Sequence, residues 1–342
     1  MNKRMPAEWE PQTAVQLIWP DRSSDWGASL GRVEPVYHAI VAAIAQYQKV
    51  IISVASRADQ SRLAHLYQNQ PMVSVWLADN NDTWARDTGP LSCYENGKLR
   101  LLDFRFNGWG NRYACDKDDR ITATLHRAGA FGDVVMHRQE WILEGGSLET
   151  DGRNTLLTTE SCLLNPNRNP GFTRLQIEQM LLEYLGIERV IWLTSGKLEG
   201  DDTDGHIDTL ARFCNPHTIA YCQARHSDSH YASLKAMETQ LQGLRQPNGA
   251  PYNLMPLPLP SPIHNSEGKR LPATYANFLI INKAVLVPVY DVPEDSIAIE
   301  RLMQSFPSHR IHPINCRALI EQFGSLHCLT MQIHQETDHG RR

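Results

Sequence analysis

The feature that most limits how this chain can fold is a repeated pattern of strands and turns. In each copy a polar or glycine-rich motif opens a strand, a turn and a second strand follow, and a helix then leads to another apolar run. The opening motifs are Arg86–Pro90, Glu144–Leu148, Gly205–Asp208, Tyr275–Phe278 and Gly324–Cys328. The fifth copy must find its other parts at the N-terminus, where Val15–Trp19 is predicted to be a strand. Length alone would suggest two domains for 342 residues, but a repeat architecture lifts that limit.

Helices are predicted between the hairpins, because apolar residues recur there at spacings of three and four. These stretches are Pro35–Gln48, Thr173–Leu185, His230–Leu244 and Asp295–Phe306. Pro20, Pro170 and Pro293 mark boundaries between elements. The pattern predicts an α/β chain in which residues 1–342 form a single domain of five ββαβ-like repeats, closed by the N- and C-terminal segments.

Composition excludes several classes of protein. With 42% hydrophobic and 21% charged residues, the chain can bury a large core. A net charge of −5 and a pI of about 6.3 argue against nucleic acid as the main partner. No apolar run approaches the ~20 residues that span a bilayer, and residues 1–9 do not resemble a secretory signal. A cytoplasmic protein without a membrane partner is predicted.

The seven cysteines give no sign of a disulfide framework. Their number is odd and no Cys-x-x-Cys pair exists, which fits reduced thiols and argues against a thiolate zinc site. They are Cys93, Cys115, Cys162, Cys214, Cys222, Cys316 and Cys328. Most of them are expected to be small buried apolar residues.

Chemically active residues stand at the same place in several copies of the repeat. Asp87, Glu144, His206 with Asp208, and Cys328 all lie where the first hairpin strand begins, at a spacing of roughly sixty residues. If five such units surround one axis, these positions converge although they are far apart in sequence. The centre would then hold several carboxylates, an imidazole and a thiol.

A thiol and an imidazole are the minimum for covalent catalysis. A thiol needs a nearby base or a positive field to become a thiolate, and imidazole is the usual proton shuttle near neutral pH. Cys328 and His206 are therefore predicted to be the nucleophile and its proton-transfer partner. Glu144 is predicted to orient His206.

Two further carboxylates, Asp87 and Asp208, are too many for a thiol protease, because their field raises the pKa of a thiol. They suit a substrate that is itself cationic and planar. A guanidinium presents N–H donors in a fork that carboxylates accept, and its central carbon becomes electrophilic when both sides are held.

Simpler interpretations exist for several of these residues. Glu144 to Gly146 could be a bulge or a tight turn, and Asp201–Asp208 could be an acidic loop or a divalent-cation site. His327 is expected to be a structural neighbour of Cys328, since adjacent strand residues face opposite ways. Trp76, Trp84 and Trp109 are expected in the core, although Trp84 stands three residues before Asp87 and could line a binding site.

An ordered set of short motifs extends over nearly the whole chain. It comprises Met5–Pro11, Trp19-Pro20, Asn81–Pro90, Asp103–Gly110, Glu144–Gly146, Asn165–Pro170, Asp201–Asp208 and His327-Cys328. Each motif is moderately specific, and the ordered set is highly specific. The set resembles the agmatine deiminase and bacterial peptidylarginine deiminase family.

The resemblance implies a five-bladed, pseudo-symmetric α/β propeller of the pentein type, in the guanidine-modifying superfamily. It implies a hydrolase of linear amidines that converts agmatine and water to N-carbamoylputrescine and ammonia, a step toward putrescine. It also implies that no cofactor or metal is needed. The expected partner is a small cationic substrate, and a homo-oligomer is compatible with this interpretation.

The resemblance also assigns roles, position by position. Asp87 and Asp208 would clamp the guanidinium, Glu144 and His206 would be the acid–base pair, and Cys328 would carry a thiouronium intermediate. Asp202 matches an acidic position that in the family faces the distal amine of agmatine.

The chain departs from the family pattern at two places near the nucleophile. Phe323–Leu326 stands where agmatine deiminases usually carry a run of glycines, and Thr209 stands in place of an asparagine. Peptidylarginine is therefore the nearest alternative substrate. Remoter alternatives are a metal-dependent hydrolase built on Asp201–Asp208 and a non-catalytic binding propeller.

Overall fold

The computed structural model describes residues 2–336, which form five separate sheets of three or four strands. The strands are β1 Lys3–Arg4, β2 Gln12–Ile18, β3 Lys49–Val54, β4 Val73–Leu77, β5 Leu91–Glu95, β6 Lys98–Arg105, β7 Val135–Ile142, β8 Glu149–Thr150, β9 Thr155–Thr159, β10 Arg189–Leu193, β11 Ala211–Asn215, β12 Thr218–Gln223, β13 Asn253–Pro258, β14 Leu279–Ile281, β15 Ala284–Val289, β16 Arg310–Asn315 and β17 Thr330–His334. Their orders are β1-β5-β6-β7, β10-β9-β8, β11-β12-β13, β14-β15-β16 and β17-β2-β3-β4.

Helices connect the strands of each sheet. They are α1 Leu30–Ile44, α2 Arg57–Leu66, α3 Ala85–Thr88, α4 Gly108–Asn111, α5 Asp118–Arg127, α6 Glu160–Leu163, α7 Arg174–Leu185, α8 Tyr231–Gly243 and α9 Glu294–Ser305, with short 3₁₀ turns at Gly145–Ser147, Ile207–Thr209 and Ile320–Gln322. No helix in the described part of the chain combines the length and apolar character that a bilayer crossing needs.

Every sheet contains the same unit. An antiparallel pair is followed by a parallel strand on the far side of a helical connection, as in β11, β12, α8 and β13. The predicted turn between β5 and β6 has Asn96 and Gly97 at φ 51° and 79°, the positive values that a two-residue type I′ hairpin requires. The fifth sheet joins distant parts of the chain, because β17 pairs antiparallel with β2, with Thr330 opposite Leu17.

The predicted helices are present, but both ends of the first are corrected, because the helix expected over Pro35–Gln48 spans Leu30–Ile44. The helix expected to start at Pro35 starts at Leu30, so that Pro35 lies inside α1. The buried face explains this, because Val33 is fully buried one turn before Tyr37. Helix α7 begins at Arg174, one residue after the predicted start, and Thr173 is its N-cap, whose side chain accepts a hydrogen bond from the backbone N–H of Gln176 in a capping box.

Three apolar clusters fill the space between sheets and helices. The largest joins β2 and β3 to β14–β16 and extends to Cys328 and Leu329. The segments that lead into the first strand of each hairpin are therefore held by buried strands. This packing fixes the positions of the polar side chains that these segments carry.

Candidate active site

The predicted site residues lie in segments that lead into hairpin strands of four different sheets. Asp87 is in α3 before β5, Glu144 precedes β8, His206 and Asp208 precede β11, and Cys328 precedes β17. A cavity of about 160 Å³ is lined by three of them, Asp87, His206 and Cys328, while Glu144 and Asp208 contact these residues from behind. The cavity is lined by Asp25, Asp82, Trp84, Asp87, Trp109, Tyr113, Asp201, Asp202, Thr203, His206, Thr209, Gln322, Phe323, Gly324 and Cys328. A larger surface cavity, of about 580 Å³, contains neither a cysteine nor a histidine in its lining.

Glu144 lies directly behind the cavity and holds His206. Its Oε2 is 2.7 Å from Nε2 of His206, and the Arg168 guanidinium donates from Nε to both carboxylate oxygens at 3.0 Å. Burial opposes charge on Glu144, but the hydrogen bond from His206 and the charge of Arg168 lower its pKa. Burial likewise opposes charge on His206, yet Asp87, Cys162 and Glu144 raise its pKa well above the ordinary value. The pair is therefore built as carboxylate and imidazolium.

Asp87 faces the other nitrogen of His206. Its Oδ1 is 3.6 Å from Nδ1 of His206 and accepts a hydrogen bond from the N–H of Gly146 at 2.9 Å. Its Oδ2 accepts from the indole of Trp109 at 3.0 Å. Burial raises the pKa of Asp87 to about 6. A Cβ at position 146 would lie 2.5 Å from Nδ1 of His206. A glycine at this position therefore lets the backbone approach the imidazole closely as well as form a turn.

The thiol of Cys328 lies beside Asp208 and Asn277. Its sulfur is 3.7 Å from Oδ2 of Asp208 and 3.3 Å from Nδ2 of Asn277. Burial, Asp208 and Asp87 raise the pKa of the thiol well above its ordinary value. Asp208 does not line the cavity itself. Its Oδ2 accepts a hydrogen bond from Asn277, while its buried Oδ1 has no partner among residues 2–336.

His327 has a closer connection to the site than expected for a structural neighbour. Its Nδ1 is 2.8 Å from Oδ2 of Asp208, and its Nε2 is 2.8 Å from Oε2 of Glu8. Residues 326–329 form a turn rather than a strand, so the alternation of faces used in the prediction does not apply. Burial, together with Arg212 and Arg86, lowers the pKa of His327, which Glu8 and Asp208 oppose.

The mouth of the cavity carries Asp202 and aromatic side chains. Tyr113 donates a hydrogen bond to Oδ2 of Asp202 at 2.8 Å, and burial raises the pKa of Asp202. Trp84 is a buried residue that also lines the cavity. Its indole N–H donates a hydrogen bond to Asp82 at 2.9 Å. Trp109 also lines the cavity, so its prediction as a core residue is incomplete.

The segment that departs from the family pattern forms part of this wall. Phe323 has φ 65°, a conformation that glycine adopts without strain, and its ring lines the cavity. A Cβ at position 324 would lie 2.2 Å from the Trp84 ring, so Gly324 cannot be replaced without moving that indole. Thr209 lines the cavity and donates to the carbonyl of His206 at 2.9 Å.

The acidic run Asp201–Asp208 does not converge on a common point in the described residues. Asp201 accepts from the backbone N–H groups of Thr203 and Gly205 within its own loop, and Asp204 binds Arg168. The donor group in residues 2–336 compact enough to share an ion is instead Glu144, Cys162 and His206. Arg168 already contacts both oxygens of Glu144, which disfavours a second cation at that position.

Comparison with known proteins identifies the family. A family model described as the Porphyromonas-type peptidyl-arginine deiminase matches residues 4–333. The chain belongs to this family. Membership confirms the family predicted from the motifs and the predicted enzyme class, a hydrolase of carbon–nitrogen bonds in linear amidines.

Individual relatives cover almost the whole chain. An agmatine deiminase of Pseudomonas syringae pv. tomato is 34% identical over 96% of this chain and 94% of its own length. A solved structure described provisionally as a peptidyl-arginine deiminase superposes with a TM-score of 0.94 at 40% identity, over 97% and 99% of the two chains. A cysteine-to-serine variant of the C. jejuni agmatine deiminase, solved with substrate bound, has a TM-score of 0.91 at 36% identity, over 98% and 97%. These neighbours confirm an α/β fold of the pentein class.

Proposed function

We propose that the protein hydrolyses a guanidine, converting agmatine and water to N-carbamoylputrescine and ammonia through a covalent intermediate on Cys328. The observation that carries the proposal is the placement of the thiol near two buried carboxylates, Asp87 and Asp208, at a cavity to which residues 2–336 contribute no lysine or arginine. Two acids hinder a thiol nucleophile unless the substrate brings a positive charge. A guanidinium supplies that charge at the reacting carbon.

The two carboxylates clamp the guanidinium. Asp208 has a buried oxygen without a partner, and each oxygen of Asp87 accepts one hydrogen bond and can accept another. Planar N–H donors fit such acceptors, and charge-assisted hydrogen bonds are strong where water is excluded. Holding the nitrogens on both sides places the central carbon beside the sulfur of Cys328.

Substrate binding activates the nucleophile. In the free enzyme burial, Asp208 and Asp87 raise the pKa of the Cys328 thiol. A bound guanidinium places a positive charge between the two carboxylates, which weakens two of these three causes and favours the thiolate. The reactive form of the enzyme therefore arises when a cationic substrate is in place.

His206 moves the protons. Cys328 attacks the guanidinium carbon, the imidazolium gives its proton to the departing nitrogen, and ammonia leaves with cleavage of the carbon–nitrogen bond. A thiouronium remains on the sulfur. The neutral imidazole then takes a proton from water, the water oxygen bonds to carbon, and the carbon–sulfur bond breaks to release the ureido product. Glu144 keeps His206 oriented throughout through its 2.7 Å contact.

Asp202 and the aromatic residues support agmatine in particular. Trp84 and Phe323 form apolar walls for a four-carbon chain, and Asp202 offers a carboxylate to its terminal ammonium. Tyr113 fixes the direction of that carboxylate.

Peptidylarginine is the second candidate substrate, because the matching family model and one structural neighbour carry the peptidyl-arginine deiminase description. An arginyl peptide has no ammonium at the position that Asp202 serves.

A ureido-product assay on purified protein tests both substrates. Agmatine, free arginine and a peptide with C-terminal arginine are compared at equal concentration, and we expect product from agmatine at a rate at least about tenfold above the others. Faster reaction of the peptide would transfer the proposal to peptidylarginine.

We also infer that the five sheets surround one axis as the blades of a propeller and that residues 1–342 form one catalytic domain. The support is the recurrence of a site residue before a hairpin strand of each contributing sheet. A cytoplasmic setting and a role in polyamine synthesis complete the proposal, which is compatible with a homo-oligomer.

A further inference from the structure

His327 lies between two buried carboxylates from distant parts of the chain. Its Nδ1 and Nε2 each stand 2.8 Å from a carboxylate oxygen, of Asp208 and Glu8 respectively. All three side chains are buried. The steps proposed above for the reaction do not use His327, although it precedes Cys328 in the sequence.

The contact with Asp208 is a hydrogen bond that His327 donates. A nitrogen and a carboxylate oxygen 2.8 Å apart need a proton between them, since two lone pairs would otherwise repel. The same holds for the contact with Glu8, so both ring nitrogens donate, and the two carboxylates hold the ring protonated against burial and the charges of Arg212 and Arg86, which lower its pKa. This bond from His327 lowers the pKa of Asp208 against the effect of burial, so Asp208 is the ionised acceptor.

The same bond determines which oxygen of Asp208 stays available. Oδ2 accepts from His327 and from Asn277, whereas Oδ1 has no partner among residues 2–336. A carboxylate held through one oxygen cannot rotate without losing both bonds. We propose that His327 is a positioning residue, which holds Asp208 through Oδ2 so that Oδ1 receives the guanidinium; this inference rests on the proposed function.

The far side of the ring is anchored just as firmly. Glu8 accepts from the Arg212 guanidinium at 2.8 Å and from the backbone N–H of Ile280 at 2.7 Å, in addition to facing His327. The backbone of His327 adds a third point, because its N–H donates to Oδ1 of Asn277 at 2.9 Å. The imidazole therefore has one orientation, and that orientation directs Nδ1 at Asp208.

Two amide substitutions separate the two sides of the ring. Asparagine places an amide nitrogen where Nδ1 of histidine lies, and glutamine places one where Nε2 lies. His327→Asn thus keeps a donor to Asp208 and loses the contact with Glu8. His327→Gln keeps the contact with Glu8 and loses the donor to Asp208.

We expect His327→Asn to keep kcat/KM on agmatine within about fivefold of the wild type and His327→Gln to lower it about a hundredfold, because a misdirected clamp misplaces the reacting carbon. A purely structural role predicts equal losses, or a larger loss for asparagine, and either result overturns the inference. His334→Gln is the matched control, since His334 is a buried histidine of β17 whose Nε2 contacts the Ala7 carbonyl away from the cavity.

Melting temperatures show whether each variant is folded. If only one variant folds, its kcat/KM alone tests the assignment. A hundredfold loss in a folded His327→Asn variant overturns it, and so does full activity in a folded His327→Gln variant. If the wild type forms no ureido product from agmatine, the proposed function fails separately. The two variants are then compared by the rate at which chloroacetamidine alkylates Cys328, because an amidine has to be held by the same two carboxylates. The same difference between His327→Asn and His327→Gln is expected in these alkylation rates.

Discussion

At the base of the cavity the charged groups are buried and held by several partners, whereas at its mouth they reach solvent. Asp87, His206 and Cys328 are 5%, 1% and 8% exposed, and each contacts buried groups from other sheets. Tyr113 at the mouth is 45% exposed, and its phenol is the partner that holds the Asp202 carboxylate.

We infer from this difference that the base of the cavity carries out the reaction and the mouth recognises the far end of the substrate. Charges in a buried environment interact strongly, so changes at the base should alter the rate of the chemical step. Charges near solvent are screened, so changes at the mouth should alter affinity by modest factors.

The largest effect is expected at the nucleophile. Cys328→Ser should lower kcat by at least about a thousandfold, because serine is a far weaker nucleophile at this position. Steady-state ureido formation measures it. The controls Cys93→Ser, Cys115→Ser and Cys214→Ser should keep most activity, because none of these thiols lines the cavity. Substantial turnover by the Cys328 variant would rule out the covalent mechanism.

The second effect is the pH dependence set by Asp87. Burial raises the pKa of this carboxyl from 3.8 to about 6, so below that pH it is protonated and no longer attracts a guanidinium. We expect kcat/KM to fall about tenfold per pH unit below 6.

Unfolding does not explain that fall, as the sign of the linkage shows. A carboxyl whose pKa is raised on folding binds more protons in the folded state, so its contribution to stability grows as pH falls through the folded pKa. As the pH falls from 7 to 5, kcat/KM should therefore decrease while the contribution of Asp87 to the free energy of unfolding increases. Unfolding curves at pH 5 and pH 7 measure the stability change. A kcat/KM that stays constant from pH 7 to pH 5 contradicts the assignment of Asp87.

The smallest effect is expected at the mouth. Asp202→Asn should raise KM for agmatine between about threefold and tenfold with little change in kcat, since the contact is the same in ground and transition states and is partly exposed. An analogue without the terminal amine should show no such penalty. Asp79→Asn is the matched control, because Asp79 is an exposed acid outside this cavity. Equal penalties on both substrates would show that Asp202 does not recognise the amine.

The repeat made much of the site predictable from sequence. Asp87, Glu144, His206 and Cys328 stand at equivalent points of separate copies, so convergence follows once the copies form similar sheets. The same logic could have found Asn277, which occupies this point in the fourth copy and contacts the Cys328 thiol.

Other residues act through tertiary contacts that no spacing reveals. Arg168 and Trp109 lie inside two of the sequence motifs, yet their hydrogen bonds to Glu144 and Asp87 depend on how the loop after the second hairpin strand folds back onto the start of the same hairpin. The contact of His327 with Asp208 was not expected, because a turn replaces the strand on which the prediction relied. The contact of Glu8 with His327 joins residues 319 positions apart, beyond the reach of any local pattern.

The pairing of β17 with β2 has a consequence for how the protein is made. While a ribosome is still adding residue 300, β2 lacks its antiparallel partner, and His327 and Cys328 do not yet exist. The residues that complete the fifth sheet follow directly after the proposed nucleophile. A nascent chain of that length therefore lacks the proposed nucleophile, and on the proposed mechanism activity begins only when the fifth sheet is complete.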